Sequence, residues 1–122
     1  MKLRIHKNSI RLRLSQPEVQ QIGTGEPVHQ LLRLHPGSSF EYILKTDTDI
    51  SEVAAHINKN ILTVSLPVFM AEAWALTDEV TIRYIQNKGS EFESCILIEK
   101  DFQCLHKRPD EDESANFINP NA

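Results

Sequence analysis

This chain predicts a mostly antiparallel, β-rich α+β fold made by tandem duplication of a β-β-α-β-β unit. Three features of the sequence lead there. Residues 1–49 laid over 53–101 agree at ten positions, against about three expected from average composition, and self-similarity at a fixed spacing marks a repeated unit. Apolar and polar residues alternate in short runs, the period of half-buried strands. Once in each half the runs are interrupted by a proline-led segment with helical spacing.

In the first half, Leu3 and Ile5 alternate with Lys2, Arg4 and His6, so a strand is expected there. Lys7-Asn8-Ser9 is a turn, because Asn tolerates the backbone angles of tight turns. A second strand carries Ile10, Leu12 and Leu14 inward, with Arg11 and Arg13 between them. Ser15-Gln16-Pro17-Glu18 has the form of a capping box, Pro is tolerated in a first helical turn, and Gly23 offers a stop. A hairpin from about Val28 to Lys45 then turns at His35-Pro36-Gly37-Ser38.

The second half repeats this order. Val53, Ala55 and Ile57 lead to a turn at Asn58-Lys59-Asn60, followed by Leu62, Val64 and Leu66. Pro67 opens a longer helix in which Trp74 aligns with Ile22, as the large inner residue. The last hairpin runs from about Val80 to Glu99 around Asn87-Lys88-Gly89-Ser90, so that Phe40, Tyr42 and Leu44 correspond to Phe92, Ser94 and Ile96. Thr46-Asp47-Thr48-Asp49 is a polar link between the halves. One domain over 1–122 is expected, with repeats at 1–49 and 53–101, closed about an approximate two-fold axis as a barrel or as two layers.

The appended segment 102–122 has no counterpart in the first half. Phe102, Leu105, Phe117 and Ile118 read as apolar anchors that dock it. Cys104 and His106 lie two apart and would point the same way on an extended chain. With Asp110 or Asp112 they are ligand types for a Zn²⁺-like ion. The acids Asp110 to Glu113 could instead face the basic stretch of residues 1–15, which holds Lys2, Arg4, Lys7, Arg11 and Arg13 and no acid.

Composition narrows the classes. A 122-residue chain with 40% hydrophobic and 25% charged residues can bury a core without metal or disulfides. No apolar run reaches membrane-spanning length, and the opening residues lack a signal core. Cys95 and Cys104, the only two cysteines, then read as free thiols of a cytoplasmic protein. A net charge of −4, and basic strands without interleaved aromatics, argue against nucleic acid as partner.

Arg4 to Ser15 (R-I-x-x-N-S-I-R-x-R-L-S), Ile98 to Leu105 (I-E-K-D-F-x-C-L) and Glu111 to Pro120 (E-D-E-S, then F-x-N-P) resemble the two ends of a small bacterial protein family of unknown function. The resemblance implies membership and no activity. The duplicated hairpin layout is also similar to that of triphosphate-tunnel enzymes, but Lys2-x-Arg4-x-His6 stands where their Glu-x-Glu-x-Lys signature is expected.

With no catalytic triad, paired carboxylates or phosphate-binding Gly loop in the sequence, the expectation is a non-catalytic interaction or structural module without a cofactor. It would associate with itself or with a protein partner through strand edges. The alternative is a ligand- or metal-binding protein, or a tunnel-type phosphate-handling enzyme, with its site where the C-terminal segment meets the N-terminal hairpin. Arg11, Arg13, Lys100 and Asp101 are the binding candidates there. Cys104, His106 and Asp110 are the metal candidates.

Overall fold

A computed structural model describes residues 1–102 and 114–120. The strands are β1 (Lys2–His6), β2 (Ser9–Leu14), β3 (Val28–His35), β4 (Ser38–Asp47), β5 (Ala54–Asn58), β6 (Ile61–Pro67), β7 (Thr81–Gln86) and β8 (Ser94–Lys100). Helix α1 (Gln16–Gly23) follows β2, and α2 (Val68–Leu76) follows β6. Each half of the chain thus has the order β-β-α-β-β.

The halves interleave. One sheet has the order β1-β2-β8-β7 and the other β3-β4-β6-β5. Every hairpin is antiparallel, while the central pairs β2–β8 and β4–β6, which join one half to the other, are parallel. The sheets face each other around one core holding Leu12, Leu14, Ile96 and Ile98 from the first and Leu44, Val64 and Leu66 from the second. There is no closed barrel, so of the two arrangements expected the layered one is found. A tunnel lined by Arg11 and Arg13 has no place in it. Both arginines lie on the face opposite the buried Leu12 and Leu14.

The ladders correct the gapless shift of 52. In the first hairpins it holds, since Lys2 lies opposite Arg13 and Ala54 opposite Ser65. Beyond the helices it does not. Ser9 pairs with Cys95, whereas Ile61 pairs with Glu41, so β4 and β8 are related by a shift of 54. Phe40, Tyr42 and Leu44 therefore correspond to Ser94, Ile96 and Ile98. The burial agrees, with Val28 matching Ile82 and Leu44 matching Ile98 on the inner face. The identities at Gly37/Gly89, Ser38/Ser90, Phe40/Phe92 and Glu41/Glu93 join positions that are not equivalent in the ladders. β4 also continues through Thr46 and Asp47, which shortens the link expected there.

Helix α1 starts as expected. The Glu18 carboxylate accepts the backbone N–H and the hydroxyl of Ser15, each at 3.0 Å, and it also pairs with the N-terminal ammonium. Its end differs. Gly25, at φ +90°, follows the C-cap Thr24. Gly25 N–H donates to Ile22 O and Glu26 N–H to Gln21 O, both at 3.0 Å, the double closure of a Schellman motif. Gly23 serves packing instead, because a Cβ there would lie 2.7 Å from Ala75 Cβ on α2. In α2, Trp74 is fully buried, as its match with Ile22 predicted, and its indole N–H donates to Val80 O at 2.9 Å.

The directions of the strands sort the molecule into two ends. β2 and β6 run into the helices, which pack on each other, and β8 ends beside β2 at Lys100. The β1–β2 and β5–β6 turns gather at the opposite end, where Lys7, Lys59 and Asn60 take positive φ.

Candidate functional site

The binding candidates meet only in part. On the outer face of β2, Arg11 Nε lies 3.2 Å from Glu99 Oε1 and Arg13 Nε lies 3.7 Å from Glu99 Oε2. Lys2 Nζ is 3.0 Å from Asp101 Oδ2, and the ladder places Lys2 opposite Arg13. Arg11, Arg13 and Asp101 thus share one charged face, with Glu99 as its centre. Arg4, opposite Arg11, and Arg83, opposite Leu97, extend that face on either side.

Lys100 lies on the other side of the sheet. Its ladder partner is the buried Leu14, and it is itself only 7% exposed. Its ammonium donates to Thr77 O at 2.7 Å and stands 6.0 Å from the Trp74 ring centroid and 5.5 Å from that of Phe117. Sequence alternation alone could have separated it from Arg11 and Arg13, since Lys100 and Glu99 are neighbours on one strand.

Asp101 ties the C-terminal segment to the sheet through its backbone. Asp101 N–H donates to Leu14 O at 2.8 Å, and Phe117 N–H donates to Asp101 O at 2.7 Å. The Phe102 and Phe117 rings pack tilted against each other, 5.4 Å between centroids, and Gln16 N–H donates to Ala115 O. The expected docking by Phe102 and Phe117 is present, but Ile118 points to solvent. Cys104, His106, Asp110, Leu105 and the acidic stretch to Glu113 lie outside the described residues. Among the described residues no three metal-ligating side chains converge.

The four edge strands are unequally protected. β1 carries Lys2, Arg4 and His6, charges and polar groups that discourage strand addition. β5 and β7 face each other across a seam bridged by Gln86, whose Oε1 accepts Ala55 N–H at 2.7 Å while its Nε2 donates to Ala55 O at 3.0 Å. Nearby, Tyr84 hydroxyl donates to Glu52 at 2.8 Å. That hydrogen bond raises the tyrosine pKa, because the carboxylate favours the protonated phenol.

β3 has no such protection among the described residues. Leu31, Leu32 and Leu34 are 48%, 50% and 69% exposed, with Arg33 the one formal charge on the strand. The β3–β4 hairpin is also longer than its counterpart. β7 and β8 stop pairing at Gln86 and Ser94, whose equivalents are Leu32 and Phe40, while β3 and β4 pair on through Arg33–Ser39 to His35–Ser38. It projects as an apolar arm with a bulge at Leu34. Sequence reading missed this arm. Its signal was L-L-R-L, which breaks strict alternation and so puts leucine on both faces of one strand.

Fold and surface together define an α+β protein of two interleaved four-stranded sheets, with one unguarded edge among the described residues. The chain belongs to a family of unknown function, DUF7009, whose model matches residues 1–121. No curated protein and no solved structure matches it. No helix among the described residues is long and apolar enough to cross a membrane.

Proposed function

We propose that the protein is a non-catalytic interaction module, derived by duplication of one β-β-α-β-β unit, that self-associates through the β3–β4 arm. One observation carries the reading: among the described residues, β3 is the one edge of the four that is both apolar and unprotected. Three leucines held in water beside free backbone donors and acceptors invite an added strand.

The pattern of the strand favours a second copy as that partner. Two β3 strands paired antiparallel about Leu32 place Leu31 opposite the second copy's Arg33 and Gln30 opposite its Leu34. No like charges are opposed. Because Phe40 already lies opposite Leu32, such a pairing aligns Phe40, Leu32 and their two counterparts in one apolar row, the unit by which cross-strand pairs stabilise a sheet. An interface of one strand pair is at the small end of specific interfaces, so association is weak and reversible.

The experiment is sedimentation equilibrium of the wild type and of Leu32→Lys. Wild type is expected to dimerise, and the variant, altered at a half-exposed position, to remain folded and monomeric. A wild type that stays monomeric up to about 1 mM, an affinity limit of about 4 kcal/mol, overturns the reading.

A further inference from the structure

At the end away from the helices the two sheets part to leave a cleft of about 370 Å³, within the range of small-molecule sites. Its walls come in related pairs. Ile5 matches Ile57 and Ile10 matches Leu62 at the 52-residue shift, so the cleft straddles the approximate two-fold axis. Phe40 closes one side, where its equivalent across the axis is Ser94.

The apolar walls are unusually open at the mouth, since Ile5 and Ile57 are 62% and 68% exposed. Lys7 is the formally charged residue among the described lining residues. Lys7 and His56 line the cleft, and among the described residues no carboxylate does. Glu93, next to the lining residue Ser94, is turned away, because its carboxylate accepts Gly89 N–H at 2.9 Å. Only its backbone carbonyl faces the turn, accepting the Asn8 side-chain N–H.

We propose that this cleft binds a small amphiphile: an apolar chain laid between Ile5, Ile10, Ile57 and Leu62, with a carboxylate head beside Lys7. The charge of the rim sets the sign of the head, and the volume limits the chain to a short or medium length. The cleft shares Phe40 with the row proposed for the dimer, because Phe40 is the ladder partner of Leu32, so binding is measured on the wild-type protein at concentrations where it is monomeric.

The test is titration of isotope-labelled protein with decanoate, decanol and decyltrimethylammonium, followed by amide chemical shifts. Decanoate is expected to give saturable shifts confined to residues 5–10, 55–62 and 94–96, with decanol weaker and the ammonium weakest. Lys7→Asn keeps a residue type that accepts the observed φ of +52°. It should weaken decanoate about two- to fivefold, the worth of one exposed ion pair, and leave decanol unchanged. Ile57→Asp should abolish decanoate binding. Scattered or unsaturable shifts overturn the proposal, as does equal binding of the ammonium, or a Lys7→Asn protein that binds decanoate like the wild type.

Discussion

Two charges at the helix end, one buried and one half-buried, show how single residues hold this fold. The Lys100 ammonium sits where an aliphatic residue is expected, opposite Leu14, and is held by Thr77 O and the faces of Trp74 and Phe117. Its stem fills the core while its head satisfies a carbonyl and gains cation–π attraction of about 0.5–2 kcal/mol. Lys100→Ala should cost about 2 kcal/mol in urea unfolding, because it opens a cavity and orphans Thr77 O. Lys100→Met should recover part of that loss by refilling the volume; equal losses for the two variants would exclude the packing role. Glu18 is the second case. Burial works to raise its pKa, but the N-terminal ammonium and the Ser15 N–H and hydroxyl outweigh burial and leave it below the ordinary 4.5. The folded state therefore holds this proton less tightly than the unfolded chain does. Its stabilisation is complete above pH 4.5 and is lost as pH falls through the lowered folded value. In Glu18→Gln the melting temperature should fall less steeply with acid over that window, and an unchanged acid slope would refute the linkage.

At the scale of elements, the helix pair shows a glycine whose role sequence alone misassigns. Gly23 reads as a helix stop, yet the stop is Gly25 and the Schellman bonds around it. Replacing a helical glycine by alanine ordinarily stabilises, through a smaller backbone entropy cost. Here the added methyl meets Ala75 Cβ at 2.7 Å, so Gly23→Ala should destabilise by about 1–3 kcal/mol, the cost of overpacking. The double variant Gly23→Ala, Ala75→Gly should recover most of that loss in a thermal melt, which a purely local effect on α1 would not allow. Strand positions were legible because period-2 alternation is a local signal. β2 and β6 carry it cleanly, and both bury the residues it picks out, Leu12, Leu14, Leu62, Val64 and Leu66. The close helix crossing was illegible because it depends on a contact between residues 52 apart. The arm was legible only in part: L-L-R-L puts leucine on both faces of β3, but the exposure of Leu31, Leu32 and Leu34 follows from where the facing sheet ends.

For the whole molecule, the decisive fact is that each sheet takes one hairpin from each half. Sequence periodicity pointed to equivalent halves: the identities Ile5/Ile57 and Leu14/Leu66 fall on equivalent ladder positions, and Lys7/Lys59 and Asn8/Asn60 fall in the equivalent hairpin turns. Nothing in it announced the exchange, because parallel pairing of β2 with β8 and of β4 with β6 is a matter of topology and leaves no residue signature. The site candidates suffered from the same gap. Arg11, Arg13 and Asp101 gather because β8 lies beside β2, and Lys100 departs from them because the pleat turns it inward. The exchange has a consequence for folding. An isolated half would keep its two hairpins but lose both central parallel pairs and the opposing face of the core, and hairpins without a partner sheet are marginal in water. Cleavage between Asp49 and Glu52, in the exposed link from β4 to β5, should therefore leave a stable complex. Fragments 1–49 and 53–122 should each be unfolded alone by amide dispersion, and their equimolar mixture should regain the native spectrum. A first fragment that folds as a monomer by itself would contradict the interleaved sheets, since its β2 and β4 would have to complete a core that the structure assigns to β8 and β6.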